Sequence, residues 1–333
     1  MKAADTAGDP MLIVNASPHM VTKQDTGRVM GSVLLALIPA LLAGAWYFGP
    51  RALLLAAVCL ITGLLCEGIW ERLMKQPSTL GDLSACVTGL ILALNLPVTL
   101  PFWMAAIGCF TAIVIVKMLF GGLGRNFANP AIVGRIVLLL SFPTQMTAWT
   151  LPGRAFAADA VSGATPLAIL AEDALSLPTL TDMFLGRIGG TIGETCVPAI
   201  LIGGAYLILR RIISPIIPVS FLGTVFVIGC LYGALTGQGG LTMGLFHLCA
   251  GGAFFGAFFC ATDYVTSPVT RGGQLIFGIG CGAVTMVIRL FCSYPEGVSF
   301  AILFMNILTP LIDRYCVSLI CKKGNKKNES RQK

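Results

Sequence analysis

The chain has 333 residues, of which 56% are hydrophobic and a further 39 residues are glycine. Only 11% are charged, less than half the roughly 25% of an ordinary soluble domain, which excludes a water-soluble globule, a disordered chain, a collagen-like rod and a secreted disulfide scaffold. The net charge of +7 includes a basic cluster in one tail (Lys322, Lys323, Lys326, Lys327, Arg331, Lys333) directly after an apolar run, the pattern of anchoring beside anionic lipid rather than of nucleic-acid binding.

Residues 1–27 carry Lys2, Asp5, Asp9, Lys23 and Asp25, without an apolar core followed by a cleavage site. They read as a cytoplasmic N-terminal arm, not a signal peptide. A spanning helix needs about 20 apolar residues. Runs of that kind predict spans at 28–48, 52–72, 82–97, 102–120 and 129–145, which form a first five-helix membrane repeat over 28–145. The third span is short, with Gly89 and then Leu94-Asn95-Leu96-Pro97, so a broken or re-entrant element is expected there. Residues 146–193 are the polar exception, with Asp159, Glu172, Asp173 and Asp182; span parity places them in an outer loop. A second set of spans follows at 194–211, 216–236, 243–262, 273–292 and 298–320, the second repeat (194–320), and the basic cytoplasmic tail occupies 321–333.

Lysine and arginine set the orientation. With the N-terminus inside, Arg72, Lys75, Lys117, Arg125, Arg210, Arg211, Arg271 and the tail are cytoplasmic, and the outer loops hold Arg51, Arg154 and Arg187. Both termini are then inside. Trp46, Trp103 and Trp149 fall near predicted outer ends and Trp70 near an inner end, as an aromatic belt requires.

The two halves echo each other. Phe127-Ala128-Asn129-Pro130-Ala131 with Arg135 matches Met305-Asn306 through Thr309-Pro310 with Arg314, and Pro97 matches Pro268. An odd number of spans per half inverts the second half, and inverted repeats place a binding site at their interface near the midplane. The fold class expected is an all-α integral membrane protein of about ten transmembrane helices in two inverted five-helix repeats, similar to urea transporters. The cysteines fall singly within apolar runs, without a C-x-x-C pair, so they read as small hydrophobes and not as metal ligands.

The outer loop holds Asp159-Ala160-Val161-Ser162-Gly163-Ala164-Thr165-Pro166-Leu167. One reading makes Thr165 an N-cap and Pro166 the first residue of a short helix through Glu172. The other makes D-x-x-S-G-A-T a site where FMN phosphate is esterified to threonine, the small residues giving access and the helix N-terminus suiting the phosphodiester charge. The two are compatible. With Ser17-Pro18-His19, Thr88-Gly89, Asn95-Leu96-Pro97, Gly121-Gly122-Leu123-Gly124-Arg125-Asn126-Phe127-Ala128-Asn129-Pro130, Thr262-Asp263, Tyr294-Pro295-Glu296-Gly297 and Pro310-Leu311-Ile312-Asp313-Arg314, the chain resembles the RnfD family of the Rnf ferredoxin:NAD oxidoreductases. It is similar, more distantly, to NqrB of the sodium-pumping NADH:quinone oxidoreductase. Ala128 departs from the family pattern, which has Phe there.

The resemblance implies a flavin-bearing subunit of a redox-driven ion pump in the cell inner membrane, incomplete as a catalyst alone, relaying electrons between ferredoxin and NAD. It implies FMN held covalently by Thr165, with Asp159, Ser162, Gly163 and Ala164 forming the attachment motif, and a second, non-covalent flavin (riboflavin) within the bundle. Partners would be the other Rnf membrane subunits, the FMN-bearing RnfG, the NAD-side RnfC, membrane lipid, and sodium or protons. Asn126 and Asn129 are candidates for hydrogen bonds to a flavin edge, or cap broken helices around Pro130. Asp263 is either a flavin contact or a solvated loop carboxylate.

Arg135 and Arg289 sit within predicted spans, where an ionisable group is functional by default. Arg289 is expected to pair with the FMN phosphate or with Glu296, and Arg135 to face a reduced, anionic flavin. Glu67 is expected to snorkel to the surface, and His247 to be buried and hydrogen-bonded. No dinucleotide-binding glycine motif in a βαβ setting is present, so NAD binds elsewhere. A solute channel of urea-transporter type is the alternative, and the S-G-A-T loop, which a pore does not need, argues against it.

Overall fold

The computed structural model describes residues 25–152, 163, 165–172, 177–292 and 296–332, with side chains described through residue 319 apart from 171 and 172. Asp159, Ser162 and Ala164 of the attachment motif lie outside the described residues.

Each half begins with helices whose ends are written in the sequence. Asp25 caps α1 (Thr26–Phe48), its carboxylate accepting from the Thr26 amide at 2.8 Å. Gly49, at φ 79°, ends α1 and delivers Pro50 to the first position of α2 (Pro50–Leu73), the terminus where proline costs nothing. Then come α3 (Ser84–Leu94) and α4 (Phe102–Phe110), which continues as a π-helix over Thr111–Met118. Helix α5 (Pro130–Ser141) starts at an Asn129-Pro130 step; Asn129 Oδ1 accepts from the amides of Ala131 at 3.0 Å and Ile132 at 3.4 Å.

Between the halves lie the short helices α6 (Pro143–Met146), α7 (Pro166–Glu172) and α8 (Leu180–Leu185). The second half has α9 (Val197–Leu209), α10 (Ile216–Leu235), α11 (Gly240–Cys249), α12 (Ala253–Phe255) running into a π-helix over Gly256–Cys260, α13 (Arg271–Phe291) and α14 (Val298–Gln332).

All ten predicted spans therefore contain helix, but they are not alike. Among the described residues, five helices are long and apolar enough to cross a membrane, and α11 with the segment Ala253–Cys260 makes a sixth span bent by 66°. The helices at 84–94, 102–118, 130–141 and 197–209 are shorter. Short and bent segments leave backbone ends at membrane depth, which is tolerated only where protein or a cavity surrounds them. Large apolar side chains such as Trp46, Leu42, Leu209, Leu235 and Phe291 face outward, as lipid-facing positions do.

The first helices of the two halves run antiparallel. Gly44 lies against Ile192, Gly203 against the Ala36 carbonyl, and Val29 shares a pocket wall with Leu207. A Cβ at Gly44 or Gly203 would collide, so these glycines let the backbones approach as small residues do within membranes. The last helices repeat the relation: α5 and α14 are in contact, with Asn129 beside Asn306 and Arg135 beside Glu296. One apolar core runs through both halves, including Leu37, Leu55, Leu94, Phe221, Phe255 and Phe277.

Glu67 departs from expectation. It is fully buried and paired with Lys117 at 2.7 Å, because the π-helical turns carry Lys117 into the bundle instead of to its rim. His247 is buried as expected, but among the described residues neither ring nitrogen has a hydrogen-bond partner.

Candidate functional site

A pocket opens at the end of the bundle where α1 begins. It is bounded by Met30, Thr88, Lys117, Asn126, Asn129 and Asp263 among others, with a cavity volume of about 80 Å³. That is below the roughly 300–1,000 Å³ of small-molecule sites, although the lining is of the usual kind, apolar with a few convergent polar groups. Asn126 Oδ1 is buried without a partner. Asp263 Oδ2 accepts from the Thr266 hydroxyl at 3.1 Å. Burial pushes the Asp263 carboxyl above the ordinary range, while the Thr266 hydroxyl and the Val265 amide hold it down. The sequence named Asn126, Asn129 and Asp263 separately, and the fold brings them to one pocket.

Asn129 has less freedom than Asn126. Its oxygen caps α5, and its Nδ2 donates to the Cys260 carbonyl at 3.1 Å. In the amide orientation its neighbours require, Asn306 accepts from the Asn129 N–H at 3.1 Å and donates to the Thr266 carbonyl at 3.3 Å. The two motifs of the internal repeat thus tie the broken helices of both halves together. Capping, one of the two readings of Asn129, is what its side chain does.

Beyond Asn129, polar contacts continue through the join of the halves. Asn95 Nδ2 reaches Cys260 Sγ at 3.9 Å and the Ile91 carbonyl at 2.7 Å, and its Oδ1 accepts from Arg135 at 2.8 Å. Arg135 also donates to Glu194 at 2.7 Å and to Glu296. All three charged residues are buried or nearly so. Two carboxylates therefore meet Arg135, and it is not a free cation facing a ligand, as the sequence suggested. Glu194 Oε2 has no partner among the described residues.

Arg289 also finds protein partners. It donates to the carbonyls of His247 at 2.5 Å and Ala250 at 2.8 Å, at the break between α11 and α12. The last carbonyls of a helix lack intrahelical partners, and a cation there complements the dipole. Among the described residues Arg289 makes no ion pair with Glu296, one of the two pairings that the sequence suggests; Arg135 takes Glu296 instead. Only Arg289 Nε remains without a partner.

The other end of the bundle holds Thr165. Its hydroxyl accepts from the Ala168 amide at 3.3 Å, the expected N-cap, and α7 begins at Pro166. Helix α7 is seven residues long, too short for its dipole to carry the phosphate argument. Thr165 faces a small cleft with Gly189, Gly190, Glu194, Gly251 and Glu296, and its own exposure is 4%. Gly163 donates to the Trp149 carbonyl at 2.9 Å. This end is fixed by Tyr47 at the close of α1, whose hydroxyl donates to the Leu185 carbonyl at 2.7 Å.

Glu194 and Lys117 are the residues that sequence reasoning passes over. Lys117 lies within a predicted span and Glu194 at the edge of one, and the rule that flags Arg135 applies to them equally. Among the described residues no group of histidine, cysteine and carboxylate side chains could hold a metal ion.

Comparison with known proteins gives one family. The family described as NQR2, RnfD, RnfE matches residues 13–322. The chain is 46% identical over 308 residues to the D subunit of the Na(+)-translocating ferredoxin:NAD(+) oxidoreductase complex of Acetobacterium woodii, covering 91% of this chain and 93% of that one. It is 43% identical over 313 residues to the D subunit of the proton-translocating ferredoxin:NAD(+) oxidoreductase complex of Clostridium ljungdahlii, again covering 91% and 93%. Against the D subunit of the ion-translocating oxidoreductase complex of Stutzerimonas stutzeri it is 42% identical over 328 residues, covering 88% and 91%.

Proposed function

The chain belongs to the NQR2, RnfD, RnfE family, and from that membership we propose that it is the flavin-carrying membrane subunit of an ion-translocating ferredoxin:NAD oxidoreductase. The observation that carries the reading is one of placement. The pocket of Asn126 and Asp263 and the cleft of Thr165 lie at opposite ends of one bundle, joined by the polar line Asn129, Cys260, Asn95, Arg135 and Glu194.

In this reading FMN is esterified to Thr165, and a second flavin, riboflavin, is held without a covalent bond in the opposite pocket. Flavin supplies the one- and two-electron chemistry, and the protein supplies position and electrostatics. The pocket suits such a group by its lining and by the Asn126 oxygen, unpartnered among the described residues and free to accept from a ring N–H, and it must widen to admit one. Asp263 and Thr88 offer further polar contacts, and Phe258 and Phe259 give an apolar wall. Asn129 holds the pocket's shape by pinning α5 to Cys260.

At the Thr165 end, glycines at 189, 190 and 251 form part of the wall of a narrow cleft, with Glu194 and Glu296 beside them. The buried hydroxyl cannot be reached by a transferase in this arrangement, so esterification requires the segment to be displaced from its seat. Arg289 Nε, near Gly251, is the cation available to the phosphodiester. Arg135 offsets one of the two carboxylate charges at the join and so reduces their repulsion of a negatively charged group.

The flavin-loop end is proposed to lie outside the cell inner membrane, with the N-terminus and the Asn126 pocket facing the cytoplasm and the other proteins of the complex, among them RnfG and RnfC, as partners. The two relatives at 46% and 43% identity are named for different ions, so overall likeness does not choose between sodium and protons. The test is flavin chemistry on the purified chain. Acid extraction separates a flavin that comes free from one that stays with the peptide containing Thr165. One of each is expected, and a chain with neither contradicts the reading.

A further inference from the structure

The pocket has a second polar connection, separate from the line through Arg135. Lys117 lines it, is 1% exposed, and donates to Glu67 Oε1 at 2.7 Å and to Ser84 Oγ at 2.6 Å. On its far side Glu67 Oε1 lies 2.9 Å from the Thr79 hydroxyl, which lies 2.6 Å from Glu71 Oε1. Glu71 also accepts from the Thr79 amide at 2.7 Å. Thr79 is exposed, and Glu71 lines an open groove with Arg72, Lys75, Gln76 and Ser78. A continuous set of exchangeable hydrogens therefore runs from the surface to the pocket.

Counting hydrogens shows what the contacts require. A threonine hydroxyl has one hydrogen to donate, yet Thr79 stands within hydrogen-bond distance of two carboxyl groups. The hydroxyl can donate to either carboxyl or share its hydrogen between both, so it can pass a proton to either side. Lys117 faces Glu67 directly, and Glu71 lies beyond Thr79 at the groove. A plain structural lock would need neither the second acid nor the hydroxyl between them. Glu67 Oε2 is buried without a partner as well, and Lys117 is presented by π-helical turns, which occur frequently at functional sites.

We propose that Glu71, Thr79, Glu67 and Lys117 form a proton-exchange line between the surface groove and the Asn126 pocket. Its use in turnover rests on the reading that a redox group occupies that pocket. Each passage moves one proton and no electrons. Lys117 releases a proton to an acceptor in the pocket, and its Nζ–H bond breaks. Thr79 passes its hydroxyl proton to Glu67 while taking the carboxyl proton of Glu71, Glu67 then gives its new proton to the neutral amine, and Glu71 is refilled from water in the groove. The groups facing Lys117 are Glu67 from α2, Ser84 from α3 and, through Ser84 Oγ, Asp82 at 2.5 Å. Cys86 is near on α3, and Asp263 stands on the same pocket's wall. Arg72 and Lys75 beside Glu71 keep the entrance positive, so the proton is drawn from water and not held there.

The test uses the intact complex. Redox-induced infrared difference spectra are recorded with dithionite as reductant, in light and heavy water, for the wild type, Glu71→Gln and Glu67→Gln. Uptake of protons from the medium is followed with a pH dye, and non-covalent flavin is extracted from the same samples. The expected result is a carboxylic-acid carbonyl band that shifts in heavy water and is lost in Glu71→Gln, with proton uptake at least tenfold slower in both variants and flavin content unchanged. If Glu67→Gln does not assemble, Glu71→Gln decides, because Gln keeps the acceptor for the Thr79 amide. The absence of a protonated-carboxyl band in the wild type, or wild-type uptake rates in Glu71→Gln, overturns the line. A wild-type complex without extractable flavin overturns the flavin reading alone, since the infrared band still decides the line.

Discussion

Asn129 donates its backbone N–H to Asn306 at 3.1 Å, so the asparagines of the two repeat motifs meet across the join of the halves. In the first motif the asparagine and the proline have complementary roles. Pro130 opens α5 without needing a hydrogen-bond partner for a missing donor, and the asparagines satisfy the backbone groups that broken and short helices leave bare.

That contact separates two substitutions that look equivalent in sequence. Asn129→Leu removes an N-cap and a buried bond to Cys260, at a cost of about 1–2 kcal/mol for the cap alone. Asn126→Ala removes an oxygen that has no partner among the described residues and should leave stability almost unchanged. Both are expected to lower non-covalent flavin, but only Asn129→Leu should lower Tm in detergent. Asn126→Ala with full flavin content would remove Asn126 from the site.

Arg135→Leu should be the most damaging single change at the join. It leaves Glu194 and Glu296 buried without their cation, and breaking a buried pair costs roughly 3–5 kcal/mol. Arg135→Lys should recover only part of the loss, because one ammonium cannot present the planar fork that reaches Asn95, Glu194 and Glu296 together. Thermal unfolding in detergent ranks the three proteins, and a Lys variant as stable as wild type would show that the fork is not needed.

Asp263 gives the pocket a pH signature. Burial raises its folded pKa above the unfolded value of 3.8, so between those two values the folded chain binds the proton more tightly. Its contribution to stability is full below the unfolded pKa and is lost as pH rises through the folded one. Asp263→Asn should flatten that fall. Unfolding curves over a pH series test it, and an unchanged slope in the variant would contradict it.

Topology is open to a direct check. A thiol reagent that cannot cross membranes should label a cysteine placed in 146–193 from outside the cell, and should not label one placed after Lys322. The reverse pattern would turn the whole arrangement over, and the Thr165 end with it.

The membrane class, the ten helical segments and the pairing of the two halves are legible in the sequence, because apolar length and lysine and arginine bias are local signals. The S-G-A-T cap is legible for the same reason. What the sequence conceals are partnerships. Lys117 and Glu67 are 50 residues apart in the chain, and Lys117 reads as the cytoplasmic end of a span although π-helical turns carry it inside. Arg135 and Glu194 are 59 apart, and Arg289 reads as a partner of Glu296 although it binds the carbonyls at a helix break. No periodicity encodes such contacts; each depends on where two helices cross.

Flavin on Thr165 is the centre of the proposed function, and one measurement addresses it most directly. The chain made beside its native flavin transferase is denatured, separated by electrophoresis and viewed under ultraviolet light, and the peptide containing Thr165 is weighed by mass spectrometry. The expected result is a fluorescent band and a peptide heavier by one FMN phosphoester, both lost in Thr165→Ala, in which the ten-segment fold persists. A dark wild-type band with an unmodified Thr165 peptide would contradict it.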